Sequence, residues 1–143
     1  MSDEPLRRSR IELVETSGPV SPRHSYATTI VIAGDVPLHV IRDHHDASGA
    51  HRSEHAIDRD AYDQLLAVVL ASLPLGEPLD LAATKRDRKG ISFNHVTVVV
   101  GDASTRLDYV LSDIDEDDGD QRARGVVEAI KHAAAKAAGK GSF

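Results

Sequence analysis

The chain has no cysteine and no tryptophan, three tyrosines, two phenylalanines and a single methionine among 143 residues. Each shortage closes a class of chemistry. Without cysteine this chain forms no disulfide, zinc–thiolate site, iron–sulfur cluster or thiol nucleophile. With aromatics at 3%, the stacking platforms that single-stranded nucleic acids rest on are scarce, and the core must be built from Val, Leu, Ile and Ala. No stretch of 18 consecutive apolar residues occurs, and the opening "MSDEPLRRSRIELVE" has no apolar run of signal-peptide length, so neither a membrane span nor an export signal is read. The expectation is a cytoplasmic protein, and the heavy use of Ala, Arg, Asp and Val suits a GC-rich bacterial genome.

What is present is an ordinary globular composition, 41% hydrophobic and 28% charged with a formal net charge of -6. A chain of this length buries about two-thirds of the surface it exposes when unfolded, enough for one core. Residues 1–9 read as a disordered N-terminal segment, 10–137 as a single domain, and 138–143 as a flexible tail.

In "RIELVE", Ile11 and Leu13 alternate with polar neighbours and predict a strand. Gly18, Pro19 and Pro22 mark a wide loop, after which "SYATTIVIAG" predicts a second strand closing a hairpin. "LHVIR" is a third. The segment Asp46-Ala47-Ser48-Gly49 has Asp first and Gly fourth, as a type I turn prefers, and is read as a four-residue hairpin loop. Pairing across it sets Leu38 opposite Ile57, Val40 opposite His55, Arg42 opposite Ser53, Asp43 opposite Arg52 and His44 opposite His51.

From Asp58 the period becomes helical. Tyr62, Leu65, Leu66, Val69, Leu70 and Leu73 form one apolar stripe, with Asp58 or Asp60 as N-cap and Pro74 as terminator. A short edge strand is expected at Leu79–Ala82, then two strands in "ISFNHVTVVVG" and "TRLDYVLSDI". A last helix runs from Gln121 to about Ala137, with Asp120 as cap and Val126, Ile130, Ala133 or Ala134, and Ala137 on one face. The order ββββαββα predicts an α+β fold, two helices on one face of a mostly antiparallel sheet. Without βαβ alternation, a doubly wound nucleotide-binding fold is not expected.

Four of the eight histidines fall within Val40–His55, "VIRDHHDASGAHRSEH". His44 and His51 face each other in the expected register, Asp46 lies at the turn and His55 further down the same face, so zinc or another transition metal is the alternative cofactor. Against a metal, His51 and His55 sit on a strand, about 13 Å apart over four residues, and Arg42 and Arg52 add positive charge. A solvated polar hairpin that recognises a partner is the preferred reading, with no cofactor.

Asp113, Asp115 and Asp117 fit the first positions of a calcium loop, but Asp118 replaces its glycine and Arg124 its final glutamate, so the run is read as a helix start. Lys85, Arg86, Arg88 and Lys89 form the one dense basic cluster. Nucleic acid would need a broader positive footprint, and an acidic protein surface suits this loop better. No GxSxG, P-loop, HExxH or GxGxxG occurs, so no enzyme is expected, although His95 beside Asn94 remains a candidate base for a small-molecule hydrolase or isomerase. A core-edge histidine is the preferred account of His95.

The chain is therefore expected to be a small protein-interaction module of accessory, adaptor or inhibitor type. Its expected partner-binding residues are Arg42, Asp43, His44, Arg52, Arg86 and Arg88, with the "SGPVSPR" loop as a further surface. Homodimerisation through an edge strand is a variant of the same idea.

Overall fold

Strands form where β-branched and apolar residues alternate with polar ones, and helices where the period lengthens. The computed structural model describes residues 9–16, 25–34, 38–81, 93–110 and 120–139. In chain order the elements are β1 (Arg10–Thr16), β2 (Ala27–Ala33), β3 (His39–Asp46), β4 (Gly49–Ala56), α1 (Arg59–Ser72), β5 (Leu79–Asp80), β6 (Phe93–Val100), β7 (Ala103–Tyr109) and α2 (Gln121–Ala137). The strands make one seven-stranded sheet in the order β4-β3-β2-β1-β6-β7-β5. Every pair is antiparallel except β5 with β7. This is the α+β architecture expected, ββββαββα with the short β5 added at an edge. Of the Leu79–Ala82 segment, Leu79 and Asp80 form the strand, while Ala82 lies outside the described residues.

The two edges differ. β5 has two residues, and Leu81 N–H donates to the Asp108 carbonyl just beyond it. The opposite edge, β4, has eight. α1 carries the chain from one edge to the other, and α2 leaves β7 to pack beside α1 on the same side of the sheet.

Alternation sorts each strand into two faces. Ile11, Leu13, Ile30, Ile32, Val96 and Leu107 point toward the helices and are essentially fully buried. They meet Tyr62, Leu66 and Val69 of α1 and Val126, Val127 and Ile130 of α2. The predicted stripe on α1 is the buried one, with Leu70 only partly covered. Residues of opposite parity, among them Val14, Val31, Ile41 and Val99, are half-buried, and no described helix lies over them. Ser9, at the boundary of the expected N-terminal segment, is buried; its hydroxyl hydrogen-bonds the Tyr62 hydroxyl, and its carbonyl accepts from Gly34 N–H at 2.9 Å.

The caps on the two helices are unequal. The Asp120 carboxylate accepts from Arg122 N–H at 2.8 Å and Ala123 N–H at 3.1 Å, satisfying two of the four N–H groups a helix start leaves without partners. Asp58 occupies the same place on α1 without a side-chain capping bond. Asp120→Ala is therefore expected to cost about 1 kcal/mol in urea unfolding, and Asp58→Ala clearly less; equal losses would contradict this assignment.

Thr105 is 4% exposed, and its hydroxyl has no hydrogen-bond partner among the described residues. A buried, unsatisfied hydroxyl carries its desolvation cost without return. Thr105→Val should thus be neutral or stabilising by up to about 1 kcal/mol, read as an unchanged or raised melting temperature; a clear drop would mean that the hydroxyl is bonded in solution.

Candidate recognition site at the histidine hairpin

β3 and β4 join through only Ala47 and Ser48, since Asp46 and Gly49 themselves pair in the ladder. The four-residue loop expected is thus a β-turn whose outer residues belong to the strands. Gly49 has φ +120°, a backbone region that L side chains rarely adopt. The register is the expected one: Val40 with His55, Arg42 with Ser53, Asp43 with Arg52 and His44 with His51.

That register divides the expected site between two faces. Val40 is buried on the helix side, so Arg42, His44 and Asp46 on β3 and His51, Ser53 and His55 on β4 share that side. Asp43, Arg52 and Glu54 lie on the open side. Asp43 and Arg52 approach to 3.9 Å, with side chains 36% and 62% exposed, an ion pair that contributes little to stability. Arg86 and Arg88, the rest of the basic cluster, the "SGPVSPR" loop and the acidic run 113–118 lie outside the described residues. The expected partner-binding residues within the hairpin therefore do not form one patch.

On the helix side the turn is held by side chains. Asp46 Oδ1 accepts from the Ser48 main-chain N–H at 2.8 Å and from the Ser48 hydroxyl at 2.5 Å. Its Oδ2 lies 2.9 Å from His44 Nε2, and His44 Nδ1 lies 2.6 Å from the Thr28 hydroxyl. The Ser48 hydroxyl bonds, then the Ser48 N–H, then His44, bring the Asp46 pKa from 3.8 to about 2. An ionised carboxylate can only accept, so His44 Nε2 carries a proton; in the neutral ring Nδ1 then accepts from Thr28. Ser48 Oγ reaches His51 Nε2 at 3.3 Å.

Thr28 and Ser48, and with them Glu15, Lys131 and Tyr109, had no place in the sequence-derived site. Thr28 is 9% exposed, and beside it on β1 lies Glu15, 7% exposed. Glu15 accepts from Lys131 Nζ on α2 at 2.7 Å and from the Tyr109 hydroxyl at 3.3 Å. A polar seam therefore crosses the helix side from the hairpin tip to α2. Glu15 has the parity of Ile11 and Leu13, a signal that could have placed it inward, but Lys131 becomes its neighbour only through the tertiary fold.

Among the described residues no group of three His, Asp or Glu side chains converges on a metal position. His44 and Asp46 are bonded to each other, and His55 stands four ladder positions beyond His51. His95 is on the open side of the sheet, away from the helices, rather than at the core edge. Burial pushes its pKa down and Arg106 pushes the same way, while Asp108 and Glu12 oppose. Arg106 is gripped by Asp108 through Nε at 3.0 Å to both carboxylate oxygens, which raises the guanidinium pKa. A cleft of about 490 Å³ lies between α1 and α2, lined by Ala61, Leu65, Val68 and Ala133 among others; it includes neither His95 nor any member of the His44 chain.

No protein-family model matches the chain, and no curated protein sequence matches it. Among the described residues no helix is long and apolar enough to cross a membrane.

Because the folded-state pKa of Asp46 is depressed, its contribution to the hairpin is fully present above pH 3.8 and is lost as pH falls toward about 2. NMR titration of its carboxyl carbon should give a midpoint near 2. Ser48→Ala should raise that midpoint more than His44→Ala does. A wild-type midpoint near 3.8 would show that the turn is not held in this way.

Proposed function

We propose that this chain is a protein-interaction module that captures an extended strand of its partner along the β4 edge. One observation carries the reading. β4 is an eight-residue edge strand, and half of its main-chain groups face no described neighbour. Ile57 N–H donates to the Leu38 carbonyl at 3.4 Å, and hydrogen-bonded pairs recur at every second residue of an antiparallel ladder. His51, Ser53 and His55 therefore bond β3, while the N–H and C=O groups of Ala50, Arg52, Glu54 and Ala56 face outward.

Such a row is a template for strand addition, in which main-chain bonds supply affinity and alternate side chains supply specificity. Natural sheets blunt edges that must stay single by shortening or covering them. The β5 edge fits that pattern, with two residues; β4 does not. The expected partner-binding residue Arg52, with Glu54, would flank an added strand on the open side, and His51 and His55 on the helix side.

The direct test removes one outward donor. Glu54→Pro deletes an N–H that β3 does not use, at an edge position that tolerates proline, so the melting temperature should hardly change. In cross-linked pull-downs from the source cells, a stoichiometric partner should be retained by the wild type and lost with Glu54→Pro. A partner retained equally by both would contradict docking at this edge.

A further inference from the structure

We propose that the strand added at the β4 edge is β4 of a second copy, paired antiparallel about a two-fold axis through Ser53. This rests on the strand-addition reading and names its partner. The order of residues along the edge carries the inference. From Ala50 to Ala56 the strand reads Ala-His-Arg-Ser-Glu-His-Ala, which is symmetric in its chemistry about Ser53, with Arg52 and Glu54 as opposite charges at equivalent places. Two-fold pairing there sets Ala50 against Ala56 of the second copy, His51 against His55, Arg52 against Glu54 and Ser53 against Ser53.

Three conditions for such a pairing hold together. First, directly opposed residues of an antiparallel pair point to the same side. His51 and His55 are both on the helix side, Arg52 and Glu54 both on the open side. Second, the outward main-chain groups fall in phase. Those of Arg52 meet those of Glu54 in the second copy, and those of Ala50 meet those of Ala56, so four hydrogen-bonded pairs close across the axis. Third, charge selects the register. Keeping the main-chain groups in phase, the neighbouring registers are centred on Arg52 or on Glu54, and each sets two like charges face to face. Only centring on Ser53 gives two Arg–Glu pairs, a favourable cross-strand combination.

Two-fold pairing also accounts for one charge of each sign on this edge. Edge strands kept single often use lysine, and charges of one sign repel in every register. An Arg–Glu pair placed symmetrically about a serine repels in the neighbouring registers and attracts in one. The Arg52 side chain is 62% exposed and lies 3.9 Å from Asp43 of β3, a weak exposed pair that it exchanges for Glu54 of the second copy by swinging its guanidinium toward the axis. Both copies would keep their helices on the same side of one continuous sheet.

The test is sedimentation velocity of the full chain from about 1 μM to about 1 mM, a range that brackets modest association free energies. The wild type should pass from monomer to dimer across it. Glu54→Arg, and separately Arg52→Glu, should each weaken the dimer at least about tenfold, because two attractive pairs become repulsive. The decisive sample is an equal mixture of the two variants. The edge of one variant then carries two positive charges and the edge of the other two negative charges, so both pairs across the axis are again opposite in sign. Dimer should return at concentrations where either variant alone is monomeric. This mixed readout does not move if the single variants merely perturb folding. A wild type that is monomeric throughout overturns the second-copy proposal, and sensitivity of a different partner to Glu54→Pro then decides the strand-addition reading by itself. A wild-type dimer indifferent to the charge changes, or a mixture that stays monomeric, overturns the proposed register.

Discussion

A two-residue turn governs the β3–β4 end of this molecule. The Asp46 carboxylate grips the Ser48 N–H and hydroxyl with one oxygen and His44 with the other, and this holds the β3–β4 register at its tip. Slipping a strand by one residue moves all of its side chains to the other face. Such a slip here would send Arg52 and Glu54 beneath the helices and turn the outward main-chain groups inward. The turn thus settles three things together: which histidines share a side, which charges meet solvent, and which amides remain available at the edge.

Among the described residues no strand pairs with the outer side of β4. α1 starts right after β4 and crosses to the far edge, where β5 ends the sheet after two residues. Both helices are committed to the face carrying Ile11, Leu13, Val96 and Leu107, and among the described residues neither turns outward over β4. The polar seam of His44, Thr28, Glu15 and Lys131 marks where the apolar face gives way to the hairpin.

Much of this arrangement is legible in the sequence because it is local. The β3–β4 register follows from Asp46 and Gly49 as turn residues and from the alternation around them, and the α1 stripe follows from the spacing of Tyr62, Leu65, Leu66 and Val69. Long-range pairing is not legible in the same way. Nothing in "RIELVET" tells it to lie between β2 and β6, and the Glu15–Lys131 bond joins residues that only the finished fold brings together. His95 illustrates a subtler gap: parity puts it with Thr97, but which side of a strand meets the helices is settled by Val96 and Val98 on the other. The expected metal set is drawn from one hairpin face, yet His44 and Asp46 satisfy each other, and the spacing of a ladder holds His55 away.

In the proposed dimer the amides of Arg52 and Glu54 serve a second strand while those of His51 and Ser53 serve β3. Amide hydrogen exchange followed by NMR at high and low protein concentration reads this directly. The expected result is that Arg52 and Glu54 are protected when concentrated and exchange freely on dilution, while His51 and Ser53 stay protected at both. Arg52 and Glu54 amides that exchange at one rate regardless of concentration would contradict it.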